Sequence, residues 1–176
     1  MTACRRSPAK PRARHWQISR TNANTFRHNT CRPHLVLKNM KDNLGLRTFI
    51  IEDNPTIREN LVAALEELAG IEPVGAADTE EAGVRWLKDN PQHWDLAIVD
   101  IFLKQGNGIG VISACRQRLE SQKVVVLSNY ATPDIRKRCA LLDVDAVFDK
   151  SNEIDALIDF CVTQQTDLDN AKRLSQ

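Results

Sequence analysis

Long apolar runs are missing from this 176-residue chain; the longest, such as Val124 to Leu127, span only a few residues. About 20 consecutive apolar residues are needed to cross a bilayer, which excludes a membrane-spanning helix on sequence grounds. A secretory signal also requires a continuous apolar stretch behind its positive residues, and Met1 to Met40 has none. Cysteine is sparse: Cys4, Cys31, Cys115, Cys139 and Cys161 are odd in number and scattered, so neither a disulfide framework nor a C-x-x-C redox pair is indicated. Together these absences point to a cytoplasmic protein with reduced thiols. Aromatic residues make up only 5% of the chain.

Acidic residues are absent from the first 40 positions, which hold nine Lys and Arg; the remainder holds 15 basic and 23 acidic residues. The formal net charge of +1 therefore hides a sharp division. The first segment carries Pro8, Pro11 and Pro33, is rich in Ser, Thr and Asn, and lacks helical or strand periodicity, so it cannot bury a core. Residues 1–46 read as a basic, disordered arm, or as sequence preceding a start at Met40. Clustered Arg could attract nucleic acid weakly, and acid-free Arg-rich composition also occurs in organelle transit peptides. His28, Cys31 and His34 offer three candidate metal ligands rather than four, with Pro33 among them, which argues against a metal site.

From Arg47 onward short apolar runs alternate with helical periodicity. Thr48 to Ile51 reads as a strand; Asn54 and Pro55 supply a cap and first position for a helix bearing Leu61, Ala64, Leu65 and Leu68, which Gly70 closes. Ile71 to Ala76 is a second strand, followed by a helix that starts at Thr79 and stops before Pro91. Leu96 to Val99 is the third strand, and Val111, Ile112, Cys115 and Leu119 suggest a third helix. Val124 to Leu127, a helix from Pro133 through Leu142, Ala146 to Phe148 and a helix from Ile154 to Val162 complete the pattern. Five βα units imply an α/β fold, a doubly wound parallel sheet covered on both faces. The uniformly apolar third and fourth strands suit its buried centre.

In such sheets chemistry collects at the carboxyl ends of the strands. Strand one ends in Glu52 and Asp53, strand three in Asp100, strand four in Ser128 and strand five in Asp149 and Lys150. Three converging carboxylates repel one another unless a cation is shared, and hard oxygen ligands in an open site suit Mg²⁺.

These residues resemble the receiver domain of response regulators in two-component phosphorelays. FIIEDN is similar to the family's acidic pair, LAIVDIFLKQGNG to its phosphoacceptor strand and loop, VVVLSNYA to its hydroxyl strand and VFDKS to its lysine strand. The resemblance implies a flavodoxin-like (βα)5 sheet in order 2-1-3-4-5, with a receiver domain at 47–166 and a short tail at 167–176. It implies that Asp100 accepts the phosphoryl group, that Asp53, Asp100 and the Phe102 backbone carbonyl bind Mg²⁺, and that Glu52 acts through water. Ser128 and Lys150 would contact the phosphoryl oxygens, Gly108 would be the turn glycine, and Phe102 and Tyr130 would stand at the rim.

Two positions depart from the family pattern. Val147 stands where a switch aromatic is usual, and Lys104 where proline is common. A haloacid-dehalogenase-like phosphatase would need an acid two residues past its nucleophile, where this chain has Phe102. The glycines at 106, 108 and 110 lack the G-x-G-x-x-G spacing of a dinucleotide loop. Few residues follow Gln165, so no DNA-reading domain is expected. The expected function is a single-domain response regulator: not an enzyme, but a phosphoacceptor with slow self-hydrolysis. A histidine kinase or phosphotransfer protein would phosphorylate it, and it would signal by docking to a downstream protein. The alternative is a degenerate receiver that binds partners independently of phosphorylation.

Overall fold

The computed structural model describes residues 45–174. The basic arm up to residue 44, the candidate ligands His28, Cys31 and His34, and Met40 lie outside the described residues.

Elements alternate strictly. Strand β1 (Leu46–Ile51) leads to α1 (Pro55–Ala69), β2 (Ile71–Ala77), α2 (Glu80–Asp89) and β3 (Leu96–Val99). Helix α3 (Gly108–Ala114), β4 (Lys123–Ser128), α4 (Pro133–Ala140), β5 (Ala146–Asp149) and α5 (Ile154–Leu174) follow. Local chemistry sets the helix starts. The Asn54 side chain accepts from the amides of Thr56 and Ile57 at 3.0 and 3.3 Å, with Pro55 placed where its missing N–H is harmless. Thr79 and Thr132 cap α2 and α4 in the same way. Gly70 ends α1 with φ of 63°, a left-handed turn that favours glycine.

The five strands are all parallel, in the order β2-β1-β3-β4-β5 expected from the family resemblance. Strand alternation divides the core. Phe49, Ile51, Val99, Val124 and Val126 face the layer of α2, α3 and α4, where Phe49 stacks on Trp86 with centroids 3.9 Å apart. Ile50, Ile98, Val125 and Leu127 face α1 and α5 through Leu61, Leu65, Leu157 and Cys161. Burial on both faces explains why β3 and β4 are apolar at nearly every position.

Several element boundaries differ from the sequence expectation, and α4 ends at Ala140 rather than Leu142. Strand β1 begins at Leu46, two residues before the expected Thr48, because Leu46 pairs with Ile71 in the sheet. Helix α3 stops at Ala114, and Leu119 lies outside it, half exposed. After Ala114 the backbone turns to tighter bonds, Cys115 N–H to Ile112 O and Arg118 N–H to Cys115 O, while the Arg118 guanidinium is tied to the Gln122 carbonyl and to Asp145. Helix α5 continues past Val162 to Leu174, so most of the expected tail is helical. Leu168 extends the stripe of Leu157 and Cys161 onto the core, and the Thr163 and Thr166 hydroxyls donate back to carbonyls four residues earlier. Among the described residues no helix is long and apolar enough to cross a membrane.

Candidate functional site

Parallel register brings the strand ends together. Ile51 lies beside Val99, and Ser128 beside Asp149. The sheet hydrogen bonding runs one residue further: Glu52 N–H donates to Ala77 O, Asp100 N–H to Ile51 O and Lys150 N–H to Ser128 O, at 2.9 to 3.1 Å. The chemistry-bearing residues therefore hang from a fixed edge. They line a crevice of about 190 Å³ whose walls include Glu52, Asp53, Asp100, Ser128 and Lys150.

Within it, the ammonium of Lys150 bridges two carboxylates, donating to Asp100 Oδ2 at 2.5 Å and to Glu52 Oε2. All three side chains are nearly withdrawn from solvent, at 7% exposure for Lys150, 4% for Glu52 and 8% for Asp100. Burial disfavours the charge on Lys150, but hydrogen bonds to Asp100 and Glu52 outweigh it and raise the ammonium above its ordinary pKa. The remaining Asp100 oxygen accepts the Phe102 amide at 3.1 Å, and the remaining Glu52 oxygen accepts the Asn54 amide at 3.0 Å. Arg58 donates to the Glu52 carbonyl at 2.7 Å. Both buried carboxylates are thus oriented from two sides.

Glu52, Asp53 and Asp100 each offer an oxygen, and these oxygens lie within 4.8 Å of one another. Three hard oxygen donors at an open crevice fit a divalent cation of the Mg²⁺ type. Lys150 engages two of the three carboxylates, and the third, Asp53, meets Lys104 Nζ at 3.2 Å. On sequence alone Lys104 reads only as a missing proline. The signal that could have placed it was its position, four residues past Asp100 on the loop that borders the crevice.

Gly108 earns its place sterically, since a Cβ there would lie 2.1 Å from the Asp100 carbonyl oxygen. Its N–H donates to Ile101 O at 2.9 Å, closing the loop against the strand end. Ser128 is fully buried, and its Oγ lies 3.5 Å from the Tyr130 amide. Phe102 and Tyr130 stand at the mouth, edge to face with centroids 5.1 Å apart. At the usual switch-aromatic position, the Val147 carbonyl accepts from Arg136 of α4, which also donates to Ala131 O and to Glu153 at 3.1 and 2.7 Å. An arginine clamp of this kind is invisible to a search for aromatics.

Known proteins share the family and the fold of this chain. A family model described as the response regulator receiver domain matches residues 48–161. A curated relative, the transcriptional regulatory protein MalR of Bacillus subtilis, is 26% identical over 93 residues, covering 53% of this chain and 39% of that protein. The chain therefore matches less than half of the length of that relative. A DNA-binding response regulator of the LuxR family from Staphylococcus aureus is 21% identical with a TM-score of 0.59, covering 68% of this chain and 99% of that one. The response regulator domain of Thermotoga maritima CheB is 14% identical with a TM-score of 0.60, covering 69% and 97%. The CheX-CheY-BeF3-Mg+2 complex from Borrelia burgdorferi contains a chain 16% identical with a TM-score of 0.58, covering 65% and 84%. With its family model matched over more than half of its length, and its fold shared with receivers of several bacteria, this chain belongs to the response regulator receiver domain family.

Proposed function

We infer that this receiver accepts a phosphoryl group on Asp100 from a histidine kinase or phosphotransfer protein, in a Mg²⁺-dependent reaction, and signals by docking to a downstream protein. The observation that carries this reading is the Lys150 ammonium held between Asp100 and Glu52, with Asp53 alongside, at the carboxyl edge of a receiver sheet.

Each group has a physical role in the transfer. An Asp100 carboxylate oxygen attacks phosphorus as the bond from phosphorus to the donor atom breaks, and negative charge spreads over three phosphoryl oxygens. Lys150 is poised to pair with one of them, since it already reaches an Asp100 oxygen. Ser128 supplies a hydroxyl donor at the next strand end. Held by Asp53, Asp100 and the Phe102 carbonyl, with Glu52 acting through water, Mg²⁺ would neutralise charge on the carboxylates and the phosphoryl group. The fixed backbone positions these groups before the donor arrives, so little reorganisation is needed at the moment of transfer. The product is a phosphoaspartate that hydrolyses slowly, as suits a signalling protein rather than a catalyst. The Borrelia burgdorferi complex holds CheY with BeF3, Mg+2 and CheX, which is in line with a receiver that binds a metal and a protein partner.

Incubation with a small acyl phosphate and Mg²⁺, followed by intact-mass measurement, tests the proposal. A mass gain of one phosphoryl group is expected for the wild type and none for Asp100→Asn. Failure of the wild type to gain mass would favour a degenerate receiver that binds partners without phosphorylation.

A further inference from the structure

The three carboxylates of the crevice are compensated unequally. Lys150 sits on Glu52 and Asp100, whereas both contacts to Asp53 Oδ2 come from one residue: it accepts the Lys104 amide at 3.2 Å and forms an ion pair with the Lys104 ammonium at 3.2 Å. The loop that delivers Lys104 is itself fastened. Gln105 O accepts the Glu80 amide at 3.2 Å, and Asn107 N–H donates to Glu80 Oε2 at 2.7 Å, so α2 holds the chain on the far side of Lys104. A proline in place of Lys104 could supply neither the amide donor nor the charge.

We propose that Lys104 is a tethered cation that competes with Mg²⁺ for Asp53 and so weakens metal binding to the receiver. This rests on Asp53 being a ligand, as in the function proposed above. Without metal, the ammonium balances the carboxylate that Lys150 does not reach. A divalent ion held by Asp53 would lie a few ångströms from that ammonium, and their repulsion displaces Lys104 toward solvent. The lysine side chain is 72% exposed, so its own pairing with Asp53 is weak and readily given up. The metal is therefore opposed rather than excluded. Lys104 acts as a positioning residue, whose place over Asp53 alternates with metal occupancy.

Mg²⁺ titrations of the full chain, followed by calorimetry and by thermal melting, test this with Lys104→Met, Lys104→Gln and Lys104→Arg. Coulomb repulsion at about 5 Å, reduced by screening in physiological salt, corresponds to roughly fivefold tighter Mg²⁺ binding in Lys104→Met and Lys104→Gln. Lys104→Arg keeps the charge and should stay within about twofold of wild type. Raising the salt should narrow the gap between Lys104→Met and wild type. Equal or weaker Mg²⁺ binding by both neutral variants would overturn the proposal, as would Lys104→Arg tightening as much as Lys104→Met. If the wild type binds Mg²⁺ and accepts phosphate while the variants match it, only the role of Lys104 fails. If no variant and no wild type binds Mg²⁺, the metal-dependent function fails with it.

Discussion

Lys150→Met isolates the electrostatic centre of the site. Lys150 is 7% exposed and is held between carboxylates that are 4% and 8% exposed. Removing the ammonium leaves Glu52 and Asp100 facing each other with oxygens no more than 4.8 Å apart. At an effective dielectric of about 20, two unit charges at that separation repel by about 3.5 kcal/mol, and breaking a buried ion pair from one side typically costs about 3–5 kcal/mol. For a domain of this size that corresponds to a fall in Tm of roughly 10–20 °C. Urea denaturation in metal-free buffer measures the change, with an unaltered m value as the check that unfolding remains two-state. Adding Asp100→Asn to Lys150→Met should recover at least about 1 kcal/mol, since only one buried charge then remains, and the cycle reports the coupling directly. A loss below about 1 kcal/mol for Lys150→Met, or no recovery in the double variant, would refute Lys150 as the compensating charge of a buried acidic pair.

The aromatic pair at the mouth should restrict in-line water, so Phe102→Asn and Tyr130→Ala are expected to speed loss of phosphate severalfold after donor removal without preventing its uptake. Because both rings are more than half exposed, stability should change by no more than about 1 kcal/mol, and unchanged decay in both variants would remove them as a gate. Hydrogen bonds from Arg136 and from the Asp149 amide hold the Glu153 carboxyl below its ordinary pKa of 4.5. A depressed folded pKa stabilises above the unfolded value and is lost as pH falls through the folded one. The Tm difference between wild type and Glu153→Gln should therefore be constant near neutrality and shrink below about pH 4; a difference independent of pH would contradict this. Burial pushes the thiols of Cys115 and Cys161 up to about 11 and about 12, and raises Cys139 as well. Alkylation at pH 8 should spare these three until the domain unfolds, as read by peptide mass; rapid labelling in the native state would show that α3, α4 or α5 opens readily.

The sequence by itself determined the alternation of strands and helices, because each relies on local rules: β-branched apolar runs, Asn54 and Thr79 caps, and Gly70 at a left-handed turn. It also placed Glu52, Asp53, Asp100, Ser128 and Lys150 at strand ends, since a parallel sheet sends all such ends to one edge. Boundaries were less legible where long-range contacts decide them. Helix α5 persists through polar residues because Leu168 finds the core, and α3 ends early where Arg118 is tied to Asp145 across the chain. Charge pairing within the site was decided by tertiary structure alone. Nothing in the spacing says that Lys150 divides itself between Glu52 and Asp100 while Lys104 covers Asp53, or that Arg136 clamps the Val147 carbonyl. Periodicity tells which face a residue occupies, but the end of a long lysine or arginine side chain goes where opposite charge and unpaired carbonyls converge, and that convergence exists only once separate elements have packed.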